Sequence, residues 1–170
     1  PRDIKEIGAS LILSNAYHLW VRPGHKLIER MGGLHQFMGW DGAILTDSGG
    51  YQVFSLNEFT KITEDGVRFR APLDGQYRTM TPEVCIEIQE SLGVDIAMAF
   101  DECIEWPASR DRVAQSTART TRWLKRCDNA RKKRTTTALF GIVQGGMYED
   151  MRVSHAQEIS GLDLDGYAVG

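Results

Sequence analysis

Five short apolar runs in this chain each end in a polar side chain or a glycine, and that repeat constrains the fold more than any other feature. The runs cover residues 10–15, 43–46, 95–100, 138–143 and 165–169, and they lead to Asn15, Asp47, Asp101, Gln144 and Gly170. Short apolar runs bounded by turn residues read as buried strands. The segments between them carry helical spacing. Strand and helix in alternation imply parallel pairing, because a parallel neighbour needs a long crossover. The carboxyl ends of such strands meet on one face, where α/β folds build their sites. A doubly wound sheet gives the same local pattern, but the row of polar strand ends favours a (β/α)₈ barrel. Five strands do not close an eight-stranded barrel. The first residue is Pro1 rather than Met, and residues 166–170 read as a strand cut at its end. The expectation is α/β: an incomplete (β/α)₈ TIM-type barrel, one partial domain over residues 1–170.

The helices announce themselves by caps and stripes. Pro23-Gly24 opens a short helix with Leu27, Ile28 and Met31 on one face, stopped by Gly32-Gly33. Thr81 as N-cap and Pro82 at the first helical position start another, with Val84, Cys85, Ile88 and Leu92 as its stripe and Gly93 at its end. Ser109 caps a long helix whose apolar face is Val113, Thr117, Thr120, Leu124 and Cys127. A last helix runs to about Ile159. Residues 59–81 break the pattern. Asp65-Gly66 and Asp74-Gly75 separate runs rich in Ile, Val, Phe, Arg and Tyr, and Asp-Gly between such runs signals hairpins. The segment reads as an inserted three-stranded antiparallel meander.

An apolar content of 42% supports a real core, and a net charge of -3 gives no global sign of nucleic-acid binding. Half of the lysines and arginines nevertheless lie between Arg110 and Arg134, opposed there only by Asp111 and Asp128. The run Arg131-Lys132-Lys133-Arg134 has two readings: it complements a helix C-terminal dipole, or it touches RNA phosphates. Charge runs usually mark solvated faces, which favours the first. Cys85, Cys103 and Cys127 are odd in number and widely spaced, which points to a reducing cytosol rather than a disulfide framework. There is no signal peptide and no membrane-length apolar run, so a cytoplasmic location without membrane contact is expected. His18, His25, His35 and His155 show no metal pattern and read as surface or capping residues.

The chemistry gathers at Thr46-Asp47-Ser48-Gly49-Gly50-Tyr51-Gln52. One reading is a strand and a tight turn that Asp47 caps. The other is a site: glycines let backbone N–H groups approach a ligand, and Tyr51 can stack on a flat ring. A carboxylate accepts two N–H donors side by side, as on the N1 and amino edge of guanine, and a glutamine donates to a ring carbonyl. Asp101, Gln144 and Tyr51 thus suit a flat heterocycle. Asp47 is left for proton transfer.

Segments 45–53, 99–103, 140–146 and 165–170, which contain Asp47, Asp101, Gln144 and Gly170, together resemble the tRNA-guanine transglycosylase (queuine tRNA-ribosyltransferase) family. Phe100-Asp101-Glu102-Cys103 and the following Pro107-Ala108 resemble its bacterial branch. The likeness runs from about Ile12 to Gly170, with Ser14 and Ala16 as small departures. It implies a modified (β/α)₈ barrel that exchanges guanine at the tRNA anticodon wobble position for a 7-deazaguanine such as preQ1, in queuosine biosynthesis. By that resemblance Asp47 is the proton acceptor. Ser48, Gly49, Gly50 and Tyr51 bind the base, Asp101 and Gln144 hydrogen-bond it, Asn15 supports Asp47, and Cys103 packs against the pocket. The resemblance also implies tRNA and guanine or 7-deazaguanine as partners, and a homodimer when full length. It places a nucleophilic aspartate and a zinc-binding carboxyl-terminal part after Gly170, so the zinc ligands are expected outside this chain, and the chain alone is expected to be inactive. The rival reading is a non-catalytic purine- or RNA-binding subunit of the same family. Asp47, Asp101 and Gln144 together favour the enzyme.

Overall fold

The computed structural model of the protein describes residues 1–55, 60–132 and 136–170. The amino-terminal elements are α1 (Arg2–Glu6), β1 (Leu11–Asn15), α2 (Ala16–Val21), α3 (His25–Arg30), α4 (Leu34–Met38), β2 (Ala43–Asp47) and α5 (Gly50–Ser55). There follow β3 (Lys61–Ile62), β4 (Val67–Arg70), β5 (Tyr77–Met80), α6 (Pro82–Leu92) and β6 (Ile96–Met98). The chain continues through α7 (Arg110–Ala130), β7 (Ala138–Val143), α8 (Glu149–Ser160) and β8 (Gly166–Val169). Among the described residues, no helix is long and apolar enough to cross a membrane.

The main sheet has five strands in the order β1-β2-β6-β7-β8, all parallel. Each new strand is added on the same side as the last, with no reversal of order. A doubly wound sheet reverses at a switch point; this one winds a single way, as the first strands of a barrel do. The five strands form an open sheet with β1 and β8 at its edges.

Burial against α6 and α7 holds the sheet. Ile86, Ile88, Leu92, Trp123, Leu124 and Leu139 are fully or almost fully buried, and Phe100 stacks on Trp123 at 4.8 Å between ring centroids. Each such side chain contributes about 1.5–3 kcal/mol of transfer free energy. The expected caps are present: Thr81 accepts from Val84 N at 3.2 Å, Ser109 from Arg112 N at 3.3 Å, and Gly93 closes α6 in the left-handed region at φ 68°.

The meander pairs as expected, β3 with β4 and β4 with β5, both antiparallel. The expected start at residue 59 lies outside the described residues. Val67 and Phe69 turn inward, and Phe69 meets Tyr17 at 5.6 Å and Trp20 at 5.8 Å between rings. The Asp65-Gly66 end is clamped by α7: Trp123 Nε1 donates to Glu64 O at 2.8 Å, Arg122 pairs with Glu64, and Arg126 donates to Glu64 O at 2.8 Å and to Asp65 O at 3.0 Å.

Several expectations need correction. Helices α1, α2, α4 and α5 are additions to the expected elements; each has only five or six residues, too few for periodicity to show. On α3 only Ile28 is buried, while Leu27 and Met31 face solvent. Val84 and Thr117 are half-buried, and the buried faces of α6 and α7 widen to include Gln89 and Ser116, Thr121 and Trp123. The arginines of the long helix are paired: Arg112 and Arg119 with buried Glu102, and Arg110 with Asp150. Arg131 ties the end of α7 to Thr137 O and Asp165. Lys133 and Arg134 lie outside the described residues. Strand β6 is shorter than residues 95–100, because Gln89 of α6 takes the backbone of Met98: Met98 N donates to Gln89 Oε1 and Gln89 Nε2 to Met98 O, each at 3.0 Å. Gln89 Oε1 also accepts from Thr46 Oγ1 at 2.9 Å. This fully buried side chain ends the β2–β6 ladder at the pair Thr46–Ala97.

Candidate active site

Register brings the first two polar residues together. Asn15 lies opposite Asp47 at the carboxyl ends of β1 and β2. Asn15 Oδ1 accepts from His18 N at 3.3 Å and so caps α2, which fixes the amide. Its Nδ2 then donates to Gln52 Oε1 at 3.0 Å and to Asp47 Oδ2 at 3.4 Å. Asp47 is half-buried; burial raises its carboxyl above the usual range, and the Ser48 N–H opposes that shift.

The chain turns at once. Gly49 has φ 85°, and a Cβ there would sit 2.5 Å from Tyr17 Cβ. A Cβ on Gly50 would sit 2.9 Å from Asp101 O. The two glycines therefore let the turn lie against both α2 and the end of β6. Helix α5 begins at Gly50, which leaves Tyr51 at the mouth with 61% of its surface exposed.

Asp101 forms the floor. It is 4% exposed, and its Oδ2 accepts from Gln144 Nε2 at 2.7 Å and from Cys103 Sγ at 3.7 Å. Ser48 Oγ donates to its Oδ1 at 3.4 Å and accepts from Gly50 N at 3.2 Å. Burial pushes the carboxyl up to about 6; the Gln144 amide opposes this, and the charge of nearby Asp47 adds to it. Burial also raises the Cys103 thiol, which makes it a poor nucleophile.

Asp47, Tyr51, Asp101, Cys103 and Gln144 line one cavity of about 490 Å³. Asn15 stands behind Asp47. Ser48, Gly49 and Gly50 are buried beneath the lining, where Ser48 steadies Asp101. The walls, which sequence reasoning did not find, come from the loops after β6 and β7: Ile104, Trp106, Met147 and Tyr148 among them. The backbone of Gly170 closes the far side, where a Cβ would lie 2.7 Å from Gln144 Nε2.

His155 corrects the reading of the histidines as surface or capping residues. It is 1% exposed, and its Nδ1 accepts from Gln144 N at 2.8 Å. The Thr121 hydroxyl is given to Thr117 O, so His155 Nε2–H donates to Thr121 Oγ1 at 3.1 Å. This is the neutral tautomer, and burial lowers the pKa in agreement with it. The only local signal was its place four residues before Ile159 on the buried side of α8. Substitution His155→Leu strands a buried N–H at the strand end that carries Gln144, at a cost of about 1–3 kcal/mol. An asparagine side chain would place an oxygen near the Nδ1 position, so His155→Asn is expected to retain slow hydrogen exchange at the Gln144 amide while His155→Leu accelerates it. Equal exchange in both variants would remove His155 from this role.

Among the described residues, no group of three His, Cys, Asp or Glu side chains is placed to hold a metal ion. Cys85 and Cys127 are buried with thiols raised by burial, Cys127 to about 12. Their sulfurs point to Ser48 O and Pro82 O, so these cysteines do not fit a zinc site.

The sequence profile of the family described as queuine tRNA-ribosyltransferase matches residues 1–170. The queuine tRNA-ribosyltransferase of Thermoanaerobacter pseudethanolicus is 58% identical over 170 residues, which is all of this chain and 45% of that relative. Those of Halalkalibacterium halodurans and Nostoc sp. are 55% and 56% identical over the same span and share. The chain thus spans a little under half the length of the curated relatives it matches.

Proposed function

The chain belongs to the queuine tRNA-ribosyltransferase family, and we propose that it supplies the base-binding and proton-accepting part of a tRNA base exchange, in which guanine leaves the anticodon wobble position and a 7-deazaguanine enters. The observation that carries this reading is the convergence of Asp47, Tyr51, Asp101 and Gln144 on one cavity. A purine fits a cavity of about 490 Å³ with room for a ribose beyond it. Asp101 accepts from N1–H and the exocyclic amine of guanine. Gln144 donates to the ring carbonyl, and Tyr51 covers the ring face. Asp47, held by Asn15, takes the proton from the incoming base. In this reading the five-stranded sheet is part of a (β/α)₈ barrel, and the aspartate that attacks C1′ of the ribose is none of the residues lining the cavity here. The zinc implied by the resemblance finds no ligand set among the described residues, and no step passes through it. The test is to set this chain in place of the matching part of the Thermoanaerobacter relative and follow radiolabelled guanine into tRNA. A chimera that folds and binds guanine but exchanges none would favour the non-catalytic subunit.

The Asp101 carboxyl gives the reading a pH signature. Below its folded-state value of about 6 it is protonated and presents a donor where guanine presents donors. Guanine affinity is expected to fall about tenfold per pH unit below 6 and to level off above it. The sign for stability is opposite: a raised carboxyl favours the folded chain at low pH, and that contribution is lost as pH rises through about 6. Asp101→Asn should bind guanine weakly at every pH, with the slope abolished. Calorimetric titration of guanine between pH 5 and 8 reads both effects, and a slope that survives in the asparagine variant assigns it to another group.

A further inference from the structure

The meander turns one face outward, and that face is cationic and aromatic. Lys61 lies opposite Arg68, Arg68 opposite Thr79, and Arg70 opposite Tyr77, so all five side chains share the outer surface. All five are exposed. The Arg68 guanidinium rests 4.5 Å from the centre of the Tyr77 ring. Thr60, Lys61, Arg68 and Tyr77 line a shallow groove across this face.

The charges here differ from the arginines of α7. The α7 arginines 110, 112, 119, 122 and 126 are all spent on carboxylates, and so is Arg131 just after the helix. Among the described residues, Lys61, Arg68 and Arg70 make no such pair; Arg68 has the Tyr77 ring and Arg70 the carbonyl of Gly75. Cations without carboxylate partners are the ones free to neutralise phosphates. A ring with a guanidinium on one side offers a flat platform for a base, and cations alternating with rings suit a single-stranded nucleic acid. An acidic peptide would satisfy the cations but leave the ring unused.

The groove is also tied to an element of the site. Thr60 Oγ1 donates to Val53 O at 3.0 Å, which fastens the groove to α5, the helix that carries Tyr51. We propose that the outer face of the meander, centred on Lys61, Arg68 and Tyr77, is a docking surface for the RNA strand flanking the nucleotide held in the cavity. This rests on the reading of the chain as one that acts on RNA.

The test uses the chain itself and a fluorescein-labelled anticodon stem–loop RNA, with polyglutamate of similar length as the competing polyanion. Lys61→Glu with Arg68→Glu should weaken RNA binding about tenfold or more at low salt and reduce the salt slope by roughly 1.4, the value for two single-strand phosphate contacts. Tyr77→Ala should weaken binding about tenfold with the salt slope unchanged, and Tyr77→Phe should restore it. Guanine titration into each variant should give the parent affinity, since none of these residues lines the cavity; that readout fails separately if the base-exchange reading is wrong. Unchanged RNA affinity in the charge-reversed variant, no RNA binding by the parent chain, or equal affinity for polyglutamate would each overturn the proposal.

Discussion

Replacing Asp47 by alanine should slow guanine exchange into tRNA by about 10²- to 10⁴-fold, the usual contribution of a general acid–base group. The expectation is for the chimera completed with the Thermoanaerobacter sequence. Asp47 is half-buried with its carboxyl raised by burial, and Asn15 holds one of its oxygens at 3.4 Å. An oxygen held in that way can take a proton from a purine in the cavity. Asp47→Asn keeps the size but not the basicity, and should fall nearly as far. The covalent tRNA adduct distinguishes this role from attack on the sugar. If Asp47 is the proton acceptor, an adduct still forms in Asp47→Ala on a denaturing gel with tRNA alone, because the attacking group is untouched. A misplaced ribose would also slow attack, so the adduct is expected to be reduced rather than absent. An adduct in the parent protein that maps to Asp47 by mass spectrometry would reverse the roles.

The strand ends are legible because each is a local break from apolar to polar or glycine, and parallel pairing carries such breaks to one face. That is why Asp47, Asp101 and Gln144 can be placed together from residues alone, and why the structure gathers them in one cavity. The two Asp-Gly turns are equally local. What stays hidden depends on partners distant in sequence. Arg131 looks like part of a solvated basic run until its guanidinium reaches Thr137 O and the Asp165 carboxylate. His155 looks like a surface or capping residue until the Gln144 N–H arrives from the end of β7. Ser48 is a base-binding residue by the resemblance; what the motif alone does not show is that its hydroxyl lies between Gly50 N and Asp101. In each case the sequence names the groups that need partners but not which partner the fold brings.

Gln89→Leu should be the most damaging single substitution in the buried core. Leucine fits the helix and the apolar surroundings, so side-chain packing alone predicts little harm. The loss is in hydrogen bonds. Gln89 Oε1 accepts from Thr46 Oγ1 and Met98 N, and its Nε2 donates to Met98 O. A leucine leaves all three of those groups buried and unpaired, each at about 1–3 kcal/mol. The chain has one way to relax: β2 and β6 can zip beyond the pair Thr46–Ala97, where the glutamine now ends their ladder. Zipping would satisfy Met98 but draw the ends of the two strands together, and those ends carry Asp47 and Asp101. The variant therefore either loses about 3 kcal/mol or more of stability, or recovers part of it at the expense of the cavity. Urea unfolding reads the first outcome, and guanine titration reads the second. Gln89→Leu with both the parent unfolding midpoint and the parent guanine affinity would show that this side chain neither holds the strands apart nor shapes the site between them.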